Sequence, residues 1–325
     1  MRRNDEYVYA APSFTRPAVF GPADEVTDTG LALGQQCLDQ GRPCLLHVHY
    51  MDTHLPLAPP QQDLDALGFG GPMPVDVSKF IDATLFITQD NGLVEIHEGL
   101  NALSDDDRVA AELWMGRSYA ASLHFADREI ARLWAGLDAL GLLDDTLVAF
   151  FTDHGERLGE DGLWGHGSRA SAIEQDVVGF FWARDIVPGA HAHPTGLIDL
   201  LPSITDPAVV DFETPAWWSG FAEGITGSPL GEAEEGRPVF GYASFGAGAD
   251  GNVSVRVADR TLVYTWSGQI EFFHDDVDPT ERQDRFDASD PEVAALWDLI
   301  RADIPRIRAA VPGLPPPLAP PGLSL

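Results

Sequence analysis

One lysine, Lys79, serves the whole chain of 325 residues, and its 20 basic side chains face 51 acidic ones. The resulting formal charge of -31 is spread along the chain rather than gathered in a tail. A surface of that kind lacks the basic footprint that a phosphate backbone requires, so no nucleic-acid partner is expected. Scarce lysine with abundant Asp, Ala and Gly is similar to the composition of proteins that work in concentrated salt, where self-repulsion is screened. Cysteine is almost as rare: Cys37 and Cys44 are the only two, and they match no Cys-x-x-Cys or zinc spacing. Two buried thiols are the expectation. No apolar run approaches the roughly 20 residues that cross a bilayer. The first residues, Met1 to Tyr7, lack the apolar stretch of a secretory signal. No membrane association and a cytoplasmic location are therefore expected, and no internal repeat is visible.

What the chain has is enough apolar residue, 44%, to bury one large core or two smaller ones. Residues 1–25 carry Pro12, Pro17 and Pro22 and read as an irregular lead-in. A helix is predicted from Ala23 to about Asp39, stopped by Gly41-Arg42-Pro43. Cys44 to Tyr50 then reads as a buried strand, with His47 and His49 as core histidines. It opens into a polar loop, Met51-Asp52-Thr53-His54-Leu55-Pro56, where proline forbids both helix and central strand. The stretch 61–103 has no clean period.

Ser104 before three aspartates is a strong helix start, a capping hydroxyl followed by acids at the positive end of the dipole. Tyr119, Leu123, Ala126, Ile130, Leu133, Leu137 and Leu140 give that helix an apolar face, and Gly141 ends it. The helix feeds a predicted buried strand, Thr146 to Phe151. A long helix running into a buried strand indicates α/β architecture with a mostly parallel sheet. A second buried strand is expected over Val177 to Ala183 and a short helix over Gly196 to Ile204. After Val239 the pattern changes to hairpins, with strands at 253–257, 260–266 and 269–274, then a helix from Pro291 to about Ala310. The proline-rich end, 311–325, is expected to be disordered.

The stretch Thr152 to Ser168 stands out, with two histidines and five glycines among its acids at the end of a predicted strand. Ligands of α/β sheets gather at such strand ends. Asp153 beside His154 pairs a charge with an imidazole lone pair, a combination suited to a divalent cation.

The string Thr146-Leu-Val-Ala-Phe-Phe-Thr-Asp-His-Gly-Glu156, followed by Leu158-Gly-Glu160 and Gly162-Leu-Trp-Gly-His-Gly167, resembles the signature of the sulfatase family of the alkaline phosphatase superfamily. Four further stretches agree in order. They are His49 to Pro56, the helix Tyr119 to Leu140 with Asp127, Asp199-Leu-Leu-Pro-Ser203, and Phe272 to Glu281 with its Asp-Pro-x-Glu. The resemblance covers roughly residues 20 to 310.

That resemblance implies an alkaline-phosphatase-like fold. A sulfatase-like α/β domain spans 1–235, antiparallel strands plus a helix span 236–310, and the family's N-terminal strands have no match. It implies a metal-dependent hydrolase of sulfuric esters, acting on a small molecule or glycan. Asp153 and His154 correspond to ligands of a divalent cation, calcium or manganese, and His54 and His166 to groups facing the sulfate oxygens. Glu156, Glu160 and Asp161 read as solvated or orienting acids, and His191 and His193 have no counterpart. The family's nucleophile is a formylglycine made in a Cys/Ser-x-Pro-x-Arg motif, which this sequence does not contain. The expectation is a chain inactive alone, with a partner chain supplying that part. Alternatives are a phosphonate or phosphodiester hydrolase of the same superfamily, and a non-catalytic relative that binds an anion or a partner protein.

Overall fold

The computed structural model describes residues 21–41, 44–55, 57–71, 99–167, 169–190, 194–205, 227–229, 234–243 and 250–325. The lead-in before residue 21, Lys79, Ser168, His191 and His193 lie outside them, as does the side chain of Asp161. In chain order the helices are α1 (Ala23–Gln40), α2 (Gln61–Ala66), α3 (Asp105–Ala139), α4 (Ala172–Gln175), α5 (Leu200–Ile204) and α6 (Pro291–Ala310). The strands are β1 (Val148–Phe151), β2 (Arg157–Leu158), β3 (Trp164–Gly165), β4 (Gly179–Trp182), β5 (Val239–Ala243), β6 (Asn252–Val257), β7 (Arg260–Thr265) and β8 (Ile270–His274). The chain forms two compact units, Met1–Thr146 with Leu158–Gly165, and Leu147–Arg157 with His166–Leu325.

In the first unit α3 begins as its sequence predicts. The Ser104 hydroxyl accepts from the Asp107 amide at 3.2 Å, and Gly141 follows the helix at φ 72°. Its buried side differs from the predicted one. Ala111, Met115, Ser118, Ser122, Phe125 and Glu129 are buried at steps of four and three, while Leu123 is 52% exposed. The apolar pattern from 119 onward applies only to the C-terminal half, where Leu133 and Leu137 rest on Gly30 and Gly34 of α1. A Cβ at Gly34 would come within 2.9 Å of Leu137, so glycine lets the two helices approach closely. The N-terminal half instead covers Leu55, Leu57, Leu100 and Trp164 with Ala111 and Met115.

Two expectations fail here. Cys37 and Cys44 are joined as a disulfide with Cα atoms 6.1 Å apart, because Gly41 at φ 58° turns the chain back at the end of α1. Cys44 to Tyr50 is assigned no strand among the described residues; Leu45 is 84% exposed and the His47 and His49 rings stack at the surface, 6.0 Å apart. They are not core histidines. An apolar run reads as buried only if a ladder and a cover exist for it.

In the second unit β1 pairs with β4, and the pair is antiparallel, Val148 opposite Trp182 through Phe151 opposite Gly179. The ladders β5–β6, β6–β7 and β7–β8 are antiparallel as well. Strands β1 and β4 are half-buried rather than fully buried, with Phe151 37% and Phe180 49% exposed. The α/β order of helices and strands is nevertheless the one predicted, and it gives way to a four-stranded antiparallel meander in the order β5-β6-β7-β8. Alternate residues of the meander face α6: Val253 lies opposite Tyr264, Val255 opposite Leu262, and Leu262 opposite Phe272. Val293, Leu296, Trp297, Ile300, Ile304 and Ile307 meet them from the helix at 3.6-residue spacing. Each such side chain contributes about 1.5–3 kcal/mol of burial.

Residues 312–325, expected to be disordered, lie against this core. The Tyr264 hydroxyl donates to the Leu318 carbonyl at 2.8 Å, the Trp266 indole to Pro315 at 2.6 Å and the Trp297 indole to Ser324 at 2.8 Å. Proline removes donors but keeps carbonyl acceptors, which is what the buried Tyr and Trp donors of this core need.

Candidate functional site

β1 delivers the chain to Thr152, whose amide donates to the Val178 carbonyl at 2.9 Å and whose hydroxyl accepts from the Val178 amide at 3.1 Å. The loop then presses onto α4. The Gly155 amide donates to the Glu174 carbonyl at 2.8 Å, and a Cβ at position 155 would stand 2.0 Å from the Ile173 oxygen. Only glycine fits. Two residues on, Arg157 is 2% exposed and clamps the loop from below, with Nε 2.7 Å from Glu174 Oε1 and Nη2 2.6 Å from Ser171 Oγ. The other Glu174 oxygen accepts from the Arg169 amide at 3.2 Å.

The meander fixes α4 in turn. Glu281, from the Asp-Pro-x-Glu stretch, accepts from the Ala172 amide at 2.9 Å, Asn252 accepts from the Ala170 amide, and Arg169 pairs with Glu271. Burial pushes the Glu281 carboxyl up to about 7, helped by the neighbouring Asp275 charge. Asp199 of α5's Asp-x-x-Pro-Ser stretch is structural: it is 1% exposed and receives Arg237 and the amides of Gly196 at 2.9 Å and Ser228 at 3.0 Å.

On this frame the loop leaves the unit after Arg157 and returns at His166, which brings the His166 and His154 rings to 3.9 Å between centroids. His154 Nδ1 lies 2.8 Å from the Gly155 carbonyl and must donate to it, leaving Nε2 with its lone pair. Asp153 stands beside it, Oδ2 at 3.8 Å from that Nε2, with its side chain 59% exposed. The Glu156 side chain is 7% exposed, holds His166 Nδ1 at 3.0 Å through Oε2, and keeps a buried Oε1 with no hydrogen-bond partner among the described residues. Burial works against a charge on His166, but the Glu156 hydrogen bond and the charges of Glu156, Glu174 and Asp153 outweigh it, so its proton is held above the ordinary histidine range.

Among the described residues His154, Glu156 and His166 form the one group of three whose ligand atoms, all within 4.8 Å of one another, could hold a metal ion. Carboxylates with imidazoles, one carboxylate oxygen buried and unsatisfied, fit a divalent cation. Formylglycine does not fit the residues present, since no Cys/Ser-x-Pro-x-Arg occurs.

Of the predicted site residues, Asp153, His154 and His166 thus come together. Glu156 is the orienting acid, buried rather than solvated. Its position two residues after His154 was the available signal for a larger part. The Glu174 clamp, 17 residues from Arg157, had no local signal. His54 belongs to the first unit, in a turn where its amide donates to the Met51 carbonyl at 3.0 Å. Beside it, burial pushes the Asp52 carboxyl up to about 6, although Oδ1 accepts from the Ala23 amide at 3.2 Å.

The model of the family described as Sulfatase matches residues 10–208, more than half of the chain. The chain belongs to the sulfatase family. It is similar to the choline-sulfatase of Rhizobium meliloti (strain 1021), 28% identical over 169 residues that make up 51% of this chain and 32% of that enzyme. The human (Homo sapiens) iduronate 2-sulfatase is 46% identical over 48 residues, 15% of this chain and 9% of that enzyme. This sulfatase-family chain therefore spans about a third or less of the curated relatives it matches. Among solved structures, one determined in complex with its substrate D-glucosamine-2-N,6-O-disulfate superposes with a TM-score of 0.60 at 14% identity, covering 89% of this chain and 70% of that one. The phosphonate monoester hydrolase of Agrobacterium radiobacter gives 0.55 at 16% identity, covering 92% and 62%. These likenesses show the fold, the α/β fold of sulfatases. Among the described residues no helix is long and apolar enough to cross a membrane.

Proposed function

We propose that the loop from Thr152 to Gly167 is the cation- and anion-binding wall of a sulfuric ester hydrolase. Asp153 and His154 hold a divalent cation, calcium or manganese, and His166 and His54 face the ester's oxygens. The observation that carries this is the buried Glu156 carboxylate behind His166. Against the effect of burial it favours the protonated imidazole and aims it, so that positive charge is presented to the sulfate oxygens. When bound, the cation supplies further charge on the same oxygens. No step is assigned to a nucleophile. The relatives and neighbours, named for choline, iduronate and glucosamine sulfates, support a sulfated small molecule or glycan as the ligand.

The test is calorimetric binding of an aryl sulfate to the chain in the presence of calcium. His166→Ala should weaken it about tenfold or more and His54→Ala measurably, while His124→Ala, whose ring is engaged with Asp63 at 2.8 Å, should leave it unchanged. Equal affinity in all four proteins would end this reading. The polypeptide as written should show no aryl sulfate turnover.

A further inference from the structure

We propose that His154, Glu156 and His166 also form a three-ligand site for a transition dication of the zinc class, with a ligand set different from the Asp153–His154 pair. Three observations carry it. The carboxylate is buried, and its Oε1 lacks any hydrogen-bond partner among the described residues, so a negative charge sits in a dry place only partly compensated. His166 Nδ1 and Glu156 Oε2 are 3.0 Å apart, close to the roughly 3.3 Å edge that bonds of about 2.0–2.1 Å make in a tetrahedral zinc site. The third ligand is oriented in advance, since the bond from His154 Nδ1 to the Gly155 carbonyl turns the lone pair of Nε2 to the ring's other side.

Each of the three residues offers a ligand atom within 4.8 Å of those of the other two, so side-chain movement of about 1.5 Å closes the set to tetrahedral edges. Two imidazoles and one carboxylate select zinc, cobalt or similar ions over calcium, which takes six to eight oxygens. Binding releases the proton now shared between His166 Nδ1 and Glu156 Oε2, and both atoms turn to the ion. A zinc-class ion would thereby take His166 out of the role proposed for it toward the ester. The inference goes beyond the proposed function and does not depend on it.

The experiment titrates the full chain with zinc by calorimetry and with cobalt(II), whose visible absorption reports four-coordinate nitrogen and oxygen ligation, and repeats both with calcium. One equivalent of zinc and an intense cobalt spectrum are expected. Glu156→Gln and His166→Asn should each weaken zinc binding by at least tenfold. Both should keep the wild-type circular dichroism spectrum. Asp153→Ala, which removes a nearby charge but no ligand of this set, should weaken zinc binding less than either of them. Zinc binding indifferent to both Glu156→Gln and His166→Asn, as an ion held by other histidines would show, overturns the proposal, as does binding lost only in Asp153→Ala. Failure of the cation role given to Asp153 would show separately, as calcium binding that Asp153→Ala does not alter.

Discussion

In the meander and α6, Val253, Val255, Leu262, Phe272 and Ile300 are wholly buried and entirely apolar. Elsewhere in the same unit, Arg157 at 2% and Glu174 at 1% exposure are just as buried but form an ion pair. The first region is held by area removed from water, which tolerates exchange of one hydrocarbon for another. The second is held by complete pairing of a few charges and by one glycine, which tolerates almost nothing. The contrast teaches where the cost of function falls. The proposed site sets Glu156 and His166 in a half-buried, polar place on a floor of matched charges, and the meander side of the unit supports that floor through Glu281, Asn252 and Glu271.

The sharpest way to break the comparison is to damage each region separately. Trp297→Ala should cost about 3–5 kcal/mol in urea unfolding. Below the transition it should leave cation binding by the loop intact. Arg157→Ala should cost a similar 3–5 kcal/mol, because Glu174 is left buried and unpaired. This change should abolish cation binding as well, and Arg157→Met combined with Glu174→Leu should recover most of the stability but not the binding. Next in size, Gly155→Ala forces a methyl onto the Ile173 carbonyl and should cost about 1–3 kcal/mol with loss of cation affinity; unchanged affinity would mean that the loop does not depend on α4.

A pH titration tests the joint between the regions. The folded Glu281 carboxyl titrates at about 7, above its ordinary value of 4.5, so between those values the folded protein carries a proton that the unfolded chain lacks. Stability should therefore rise as pH falls from about 7 toward 4.5, with a slope of at most about 1.4 kcal/mol per unit, and Glu281→Gln should flatten that limb. The smallest effect belongs to the first unit. Reducing the Cys37–Cys44 disulfide, which closes a short loop, should cost about 2 kcal/mol or less, read from unfolding with and without reductant.

The two regions were also unequally legible. Strands β6, β7 and β8 and helix α6 follow from alternation and 3.6-residue spacing because local pattern and tertiary burial agree there. Strands β1 and β4 are legible as strands, but their burial and their antiparallel pairing are not, and Cys44 to Tyr50 reads as a strand without being one, because a short apolar run says nothing about what covers it. The buried stripe of α3 escaped the pattern because Ser118, Ser122 and Glu129 are buried polar residues, which an apolar period does not register. The proline-rich end was misread because the indole and phenol donors that hold it sit about 27 to 54 residues away. In the site, Asp153, His154 and His166 were legible from their motif, whereas Glu174 and Arg157 meet only through the fold.

The most direct test of the loop as a cation-binding wall is a calorimetric calcium titration of the intact chain beside its Asp153→Ala variant. The account predicts weak but saturable binding in the first and none in the second. Equal binding by both, or none by either with calcium and manganese alike, would contradict it.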